Sequence, residues 1–467
     1  MKTKSLLLLG LLPFALTACN PTVKQSENGG NTGTTSTGSV VTSTGNDNGN
    51  TNGGTTIDDG GNTNKPDDDG NGNTNGGGTV VSTKDAYTVL IYMCGSDLES
   101  DRSQGGLATM DLEEILSVKG QPEGVNIVVQ TGGASRWAST SSKLGISATK
   151  SQRWHVENQK LVKDEESSKV NMGKSSTLEN FLTWGIEKYP AEKTGVILWN
   201  HGGAMHGVCY DENYNSDALT NSEVNTALKN TFTKLNRTEK LEFIGYDACL
   251  MAVQDIAEFN SHYFNYMVSS QEAEAGYGWD YDNWVGDLYA KKPTTEVLKA
   301  VCDSFIEDNN VDYYGEYSTS YNDQTLSVLD LSKMDAYKNA FESFGEALKN
   351  KLTSSQKSTV KTAFNKAKRY CVDDDKDEDY FATYDVKDLL TKVRGNSTLN
   401  PGNTVVDKAL SAFNDLVIYN AKGAKAGNSN GLCCYYAATK DADKSSVYTT
   451  AETNFTNWIS FNTTFGY

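Results

Sequence analysis

The chain has 467 residues, enough for two or three domains of ordinary size. Its 42 Lys and Arg stand against 60 Asp and Glu, a formal charge of −18, which excludes the basic face that nucleic acid requires and leaves cationic peptides as natural partners. The composition is uneven along the chain, so the segments are read separately.

Residues 1–18 read as a signal peptide. Lys2 and Lys4 form a charged start, and Leu6 to Leu16 is an apolar run broken by Pro13. The run is shorter than the ~20 residues that span a bilayer. Leu16-Thr17-Ala18-Cys19 closes it and resembles a bacterial lipobox, in which Cys19 becomes a lipid-bearing N-terminus; the plainer alternative is a secretory signal cut at a small residue. The expected location is the bacterial cell envelope, extracytoplasmic (periplasmic or cell surface), with lipid as the only membrane anchor. Residues 19–84 then read as a tether. Gly, Thr, Asn and Ser dominate it and no aromatic occurs, so it cannot bury enough apolar surface to offset its conformational entropy.

Residues 85–300 alternate short apolar runs with helical patterns. Strands are predicted at Tyr87–Met93, Val125–Gln130, Gly195–Trp199, Leu241–Tyr246 and Tyr266–Ser269. Helices are predicted at Leu107–Val118, Ser176–Tyr189, Ser222–Thr233 and Cys249–Asn260. This order predicts an α/β fold, a mostly parallel sheet with helices on both faces. Residues 301–467 read as a smaller, helix-rich α+β extension, with helices at Ala336–Lys351, Thr359–Tyr370, Val386–Val393, Thr404–Tyr419 and Ala451–Phe461 and strands at Leu326–Leu331 and Gly431–Ala437.

In such folds chemistry gathers beyond the carboxyl ends of the strands. Two ends stand out: Asn200-His201-Gly202-Gly203 after GVILW, and Asp247-Ala248-Cys249 after LEFIGY. A Cys opening a helix is biased towards thiolate by the helix dipole, and a His on the adjoining strand end can carry the proton. The N–H groups of Gly202 and Cys249 are the candidate oxyanion donors. His206 and Cys209 are competitors, but neither follows a strand directly. No CxxC or CxH spacing occurs and the chain has 4 His in all, so no metal site is expected.

Three blocks, VILWNHGGAMHG, IGYDACLMA and SSQEAEAGYGWDYD, resemble the core blocks of the clostripain-like cysteine peptidases, relatives of caspases, legumains and gingipains. TYDVKDLL and GLCCYYA extend the resemblance weakly to the C-terminal part. The resemblance implies a caspase-like sheet, a His201/Cys249 dyad, and cleavage of protein or peptide substrates after Arg or Lys. It places Asp247, Trp279 and Asp282 at the substrate pocket, with Asp280 an equally acidic neighbour of Asp282. An Asp before a predicted helix is also an ordinary N-cap.

Two departures are visible. Relatives often cut themselves at a basic residue after the His, yet no Lys or Arg lies between His201 and Lys229. Some relatives depend on calcium, but the acidic run Asp373–Asp379 lacks the glycine turn and closing Glu of an EF-hand loop. No cofactor is expected, with calcium dependence the alternative, and the protein is expected to be a monomer. The function expected is a lipid-anchored cysteine endopeptidase; the alternatives are a silent, tethered binding protein on the same fold and a peptidase of non-basic specificity.

Overall fold

The computed structural model describes residues 84–102, 106–138, 141–310, 322–372, 380–438 and 453–466. The lipobox, nearly all of the tether and the Asp373–Asp379 run lie outside the described residues. In β1 (Asp85–Cys94) eight consecutive residues are buried, as the apolar run requires. Val89 and Ile91 point into one hydrophobic layer and Leu90 and Tyr92 into the other, so the strand is covered on both faces. β2 (Val125–Gly132) runs parallel beside it, with Tyr87 opposite Val125.

A hairpin of β3 (Lys150–Glu157) and β4 (Lys160–Ser168) then adds two antiparallel strands outside β2. β5 (Ala191–Trp199) pairs with the other side of β1. After it comes a small hairpin of β6 (Val208–Asp211) and β7 (Asp217–Leu219). β8 (Leu241–Asp247) and β9 (Phe264–Ser269) continue the parallel series.

The part beyond residue 300 does more than pack on this sheet. β10 (Thr325–Asp330) pairs antiparallel with β9, β11 (Thr383–Asp385) lies apart, and β12 (Val417–Lys422) pairs with β10. β13 (Cys433–Tyr435) joins β11 in a separate two-stranded sheet. The main sheet therefore has nine strands in the order β12-β10-β9-β8-β5-β1-β2-β3-β4. The boundary expected near residue 300 is not a division of the fold, because the open edge of β9 is completed by later chain; 84–467 forms one compact unit.

Several expected helices start or end elsewhere: that over Thr359–Tyr370 stops at Phe364, and that over Ala451–Phe461 runs Thr456–Phe465. The helix expected from Cys249 begins at Gln254. The N–H groups of Leu250 and Ala252 bond instead to the carbonyls of Glu272 and Ser270. The helix expected over Thr404–Tyr419 stops at Leu416, where the chain turns into β12. The helices Met334–Lys351 and Thr456–Phe465 meet through Phe341, Phe344, Trp458 and Phe461, an aromatic cluster beneath one face of the sheet. Among the described residues no helix is long and apolar enough to cross a membrane.

Candidate active site

β5 and β8 are adjacent and in register, with Trp199 opposite Asp247, so the residues two positions beyond each strand are neighbours. The N–H of Asn200 donates to the carbonyl of Asp247 (3.2 Å), which carries the pairing one step past the sheet. The Asn200 side chain ties down the same end. Its Nδ2 donates to the carbonyl of Cys94 (2.6 Å), and its Oδ1 accepts from the N–H of Tyr210 (2.7 Å). A Cβ on Gly202 would lie 2.1 Å from the carbonyl oxygen of Cys249, so the backbones of the two loops are in direct contact there.

His201 is 2 % exposed and Cys249 4 %. The Cys249 sulfur accepts from the N–H of Glu274 at 3.2 Å. His201 Nε2 is 2.9 Å from Asp97 Oδ1, and Tyr210 stands edge-on to the imidazole at 6.5 Å. Both residues open onto a pocket lined further by Leu98, Asp247, Glu274 and the Gly276–Gly278 turn.

The base of this pocket is acidic. Asp247 Oδ2 accepts from the hydroxyl of Tyr281 (2.9 Å) and the N–H of Trp279 (3.4 Å). Burial nevertheless pushes its carboxyl up to about 7. Glu274 is buried beside it. Burial, and then the charge of Asp247, raises the Glu274 carboxyl well above the usual range. Asp111, beneath them, accepts from the Trp199 indole N–H at 2.6 Å and is raised by burial and by Asp247. Gly278, at φ 64°, makes the gathering possible. A Cβ there would stand 3.1 Å from both the Asp111 and Asp247 carboxyls. An uncompensated cluster of buried carboxyls facing an opening is an arrangement that a cationic side chain completes.

The clostripain family model (peptidase C11) matches residues 91–460. The chain belongs to the clostripain family. It is a cysteine endopeptidase. It is 21 % identical to the clostripain of Hathewaya histolytica over 425 residues, 76 % of this chain and 78 % of that one. A secreted C11 cysteine protease from Bacteroides thetaiotaomicron, solved with an irreversible peptide inhibitor, is similar in fold at a TM-score of 0.56. The match has 16 % identity and covers 80 % of this chain and 99 % of that one. An inactive zymogen C11 protease from Parabacteroides distasonis matches with a TM-score of 0.57 and 17 % identity, over 82 % of this chain and 99 % of that one. The caspase-like α/β sheet expected from the sequence is the fold of these proteins.

In this clostripain-family enzyme the predicted site residues have different fates. His201, Cys249 and Asp247 line one pocket, and Gly202 forms the backbone contact between the two loops. Trp279 is buried and does not line the pocket; its backbone N–H donates to Asp247, which does. Asp282 is exposed on the first turn of the Tyr281–Tyr289 helix and does not line the pocket. Its position after GYGW suggests the pocket, yet the turn at Gly278 brings Glu274 to the floor instead. Cys209 is wholly buried, and burial raises its thiol far above neutrality. His206 stacks on Tyr380 at 4.6 Å.

Cys249 sits in a turn rather than at a helix start, so the helix dipole expected to favour its thiolate does not act there. Asp97, Asp111 and Glu274 were missed. Asp97 had a signal, since it lies just beyond the apolar run of β1 where chemistry was sought. Glu274 lies inside the quoted SSQEAEAGYGWDYD block. Asp111 had none beyond being one of several acids in a helix.

Proposed function

We propose that this cysteine endopeptidase works through His201 and Cys249 and cleaves after Arg, with Lys second. The observation that carries the reading is that Cys249, His201 and the buried carboxyls of Asp247 and Glu274 all face one pocket. Cys249 is disulfide-bonded in this structure, so the reaction starts from the reduced enzyme: its thiolate attacks the scissile carbonyl carbon, and the N–H groups of Gly202 and Cys249 hold the oxyanion that forms. His201 gives its proton to the leaving amine as the C–N bond breaks. Water then adds to the thioester, with His201 taking its proton, and acid product leaves. The substrate's guanidinium sits against Asp247 and Glu274, where a planar fork of donors pairs better than a point-charge ammonium.

The enzyme is further read as lipid-anchored at Cys19 and extracytoplasmic, held off the membrane by residues 19–84, monomeric, and independent of any cofactor. Turnover of a fluorogenic Arg peptide is expected to persist in excess chelator.

The deciding experiment is Cys249→Ala beside His201→Ala in the full chain, assayed on that peptide and on a peptide library. Each is expected to lose on the order of 10³-fold or more in kcat with the fold kept. Turnover by Cys249→Ala overturns the mechanism. A library preference for acidic or Asn residues overturns the specificity.

A further inference from the structure

Three neighbouring parallel strands in the order β8–β5–β1 each deliver one polar side chain just past their carboxyl ends. β8 delivers Cys249, β5 delivers His201, and β1 delivers Asp97. The last is set by a sharp turn: Ser96 adopts φ 48°, swinging the chain out of β1 into the short Ser96–Ser100 helix. The Asn200 bond to Cys94 fixes the end of β1 against the end of β5. Asp97 thereby reaches across to His201, Oδ1 to Nε2 at 2.9 Å, and the Ser96 hydroxyl donates to the same oxygen at 3.1 Å.

We propose that Asp97 is the positioning residue for His201, so that the enzyme works as a Cys–His–Asp series across three strands. The inference rests on the reading of His201 and Cys249 given above. With Nε2–H committed to Asp97, Nδ1 is the nitrogen that exchanges protons with the Cys249 sulfur and the leaving amine. The Asp97 carboxylate fixes this tautomer and stabilises the imidazolium that forms when the thiol gives up its proton.

The electrostatics agree in sign. Burial alone would raise the Asp97 carboxyl, but the hydrogen bond and charge of His201, with help from Ser96, hold it down at about 2. It is therefore ionised throughout any working range. Other groups facing His201 include Tyr210 from β6 and Cys249, with Asp247 and Glu274 across the pocket. Those two carboxyls are raised by burial and hold protons near neutrality, so they support an imidazolium less than Asp97 does.

The test uses full-length Asp97→Asn, Asp97→Glu and Cys249→Ala. On protein first reduced with a phosphine and freed of it, two readouts are followed against pH: kcat and KM on an Arg peptide, and the rate of Cys249 alkylation by iodoacetamide, mapped by peptide mass. The Asp97 side chain is 53 % exposed, so the isosteric Asn is expected to leave the fold intact. Asp97→Asn is expected to lower kcat about 100-fold or more with KM within about threefold, because the wrong tautomer is no longer excluded. Alkylation near pH 6.5 is expected to slow about tenfold as the thiolate–imidazolium pair loses its support. The acidic limb of the rate profile moves up and the basic limb moves down, and Asp97→Glu restores part of both.

A kcat within threefold of wild type and an unmoved alkylation profile in Asp97→Asn overturn the proposal. If Asp97→Asn misfolds, Asp97→Glu decides alone: unshifted limbs together with a tenfold loss reject it. Cys249→Ala separates the two readings, since an inactive Cys249→Ala beside a wild-type Asp97→Asn removes only Asp97.

Discussion

A side chain at Gly202 would place its Cβ 2.1 Å from the carbonyl oxygen of Cys249, closer than real Cβ atoms approach backbone. The loops bearing His201 and Cys249 are thus held together at a residue that tolerates no substituent. Gly202→Ala is expected to push them apart and to lower kcat by about 100-fold, the order of loss that ~1 Å of misplacement brings. Steady-state kinetics with circular dichroism checks this. Wild-type turnover by a folded Gly202→Ala protein rejects the contact as a determinant.

Glu274, rather than Asp282, shares the pocket floor with Asp247. Glu274→Gln is expected to lower kcat/KM for an Arg substrate by about 10- to 100-fold, as for loss of a charge-assisted hydrogen bond, and to spare an uncharged substrate. Asp282→Ala is expected to stay within about twofold on both. The reverse pattern in parallel kcat/KM measurements would return Asp282 to the pocket.

Burial that lifts Asp247 to about 7 has consequences for binding and for stability. A protonated floor holds a guanidinium poorly, so kcat/KM for Arg substrates should climb as pH rises through about 7, more steeply than for an uncharged substrate. Stability runs the other way. The folded state binds this proton more tightly than the unfolded chain, whose carboxyl titrates near ~3.9. Stability is therefore fullest below the unfolded value and is lost as pH rises from there to about 7, and Asp255, also lifted to about 7 by burial, adds to the trend. Asp247→Asn is expected to raise Tm at pH 8 but not at pH 4 while impairing Arg cleavage. A Tm unchanged at pH 8 counts against a costly buried carboxylate.

The anchor is tested by phase partitioning. Wild-type protein from membranes is expected in the detergent phase, and Cys19→Ala in the aqueous one. A Cys19→Ala protein that stays with salt-washed membranes requires another attachment.

The strands flanking the site were legible in the sequence because both faces of each are covered. Tyr87–Met93 and Gly195–Trp199 are nearly continuous apolar runs, and the polar groups that follow them stand out. The β3–β4 hairpin was not foreseen, since β4 is a mostly exposed edge strand whose polar face carries no core pattern. The helix start at Cys249 was misread because CLMAVQDIAEF has helical spacing throughout. What overrides the pattern is a pairing with Ser270 and Glu272, some twenty residues on. Asp97 stands just past the apolar run of β1, a visible signal, but its pairing with His201, 104 residues away, could not be read from local spacing.

The C-terminal completion of the sheet also fixes an order of assembly. A nascent chain that has emerged as far as residue 300 already contains His201, Cys249, Asp247 and five parallel strands, yet the outer edge of β9 has no neighbour until β10 and then β12 are synthesised. During that interval Phe264–Ser269 offers unsatisfied N–H and C=O groups along an apolar strand, the template that invites association between chains. Translation beyond the last pocket residue is thus what caps the growing sheet, and a fragment ending near residue 300 should collect as aggregate rather than as a minimal protease.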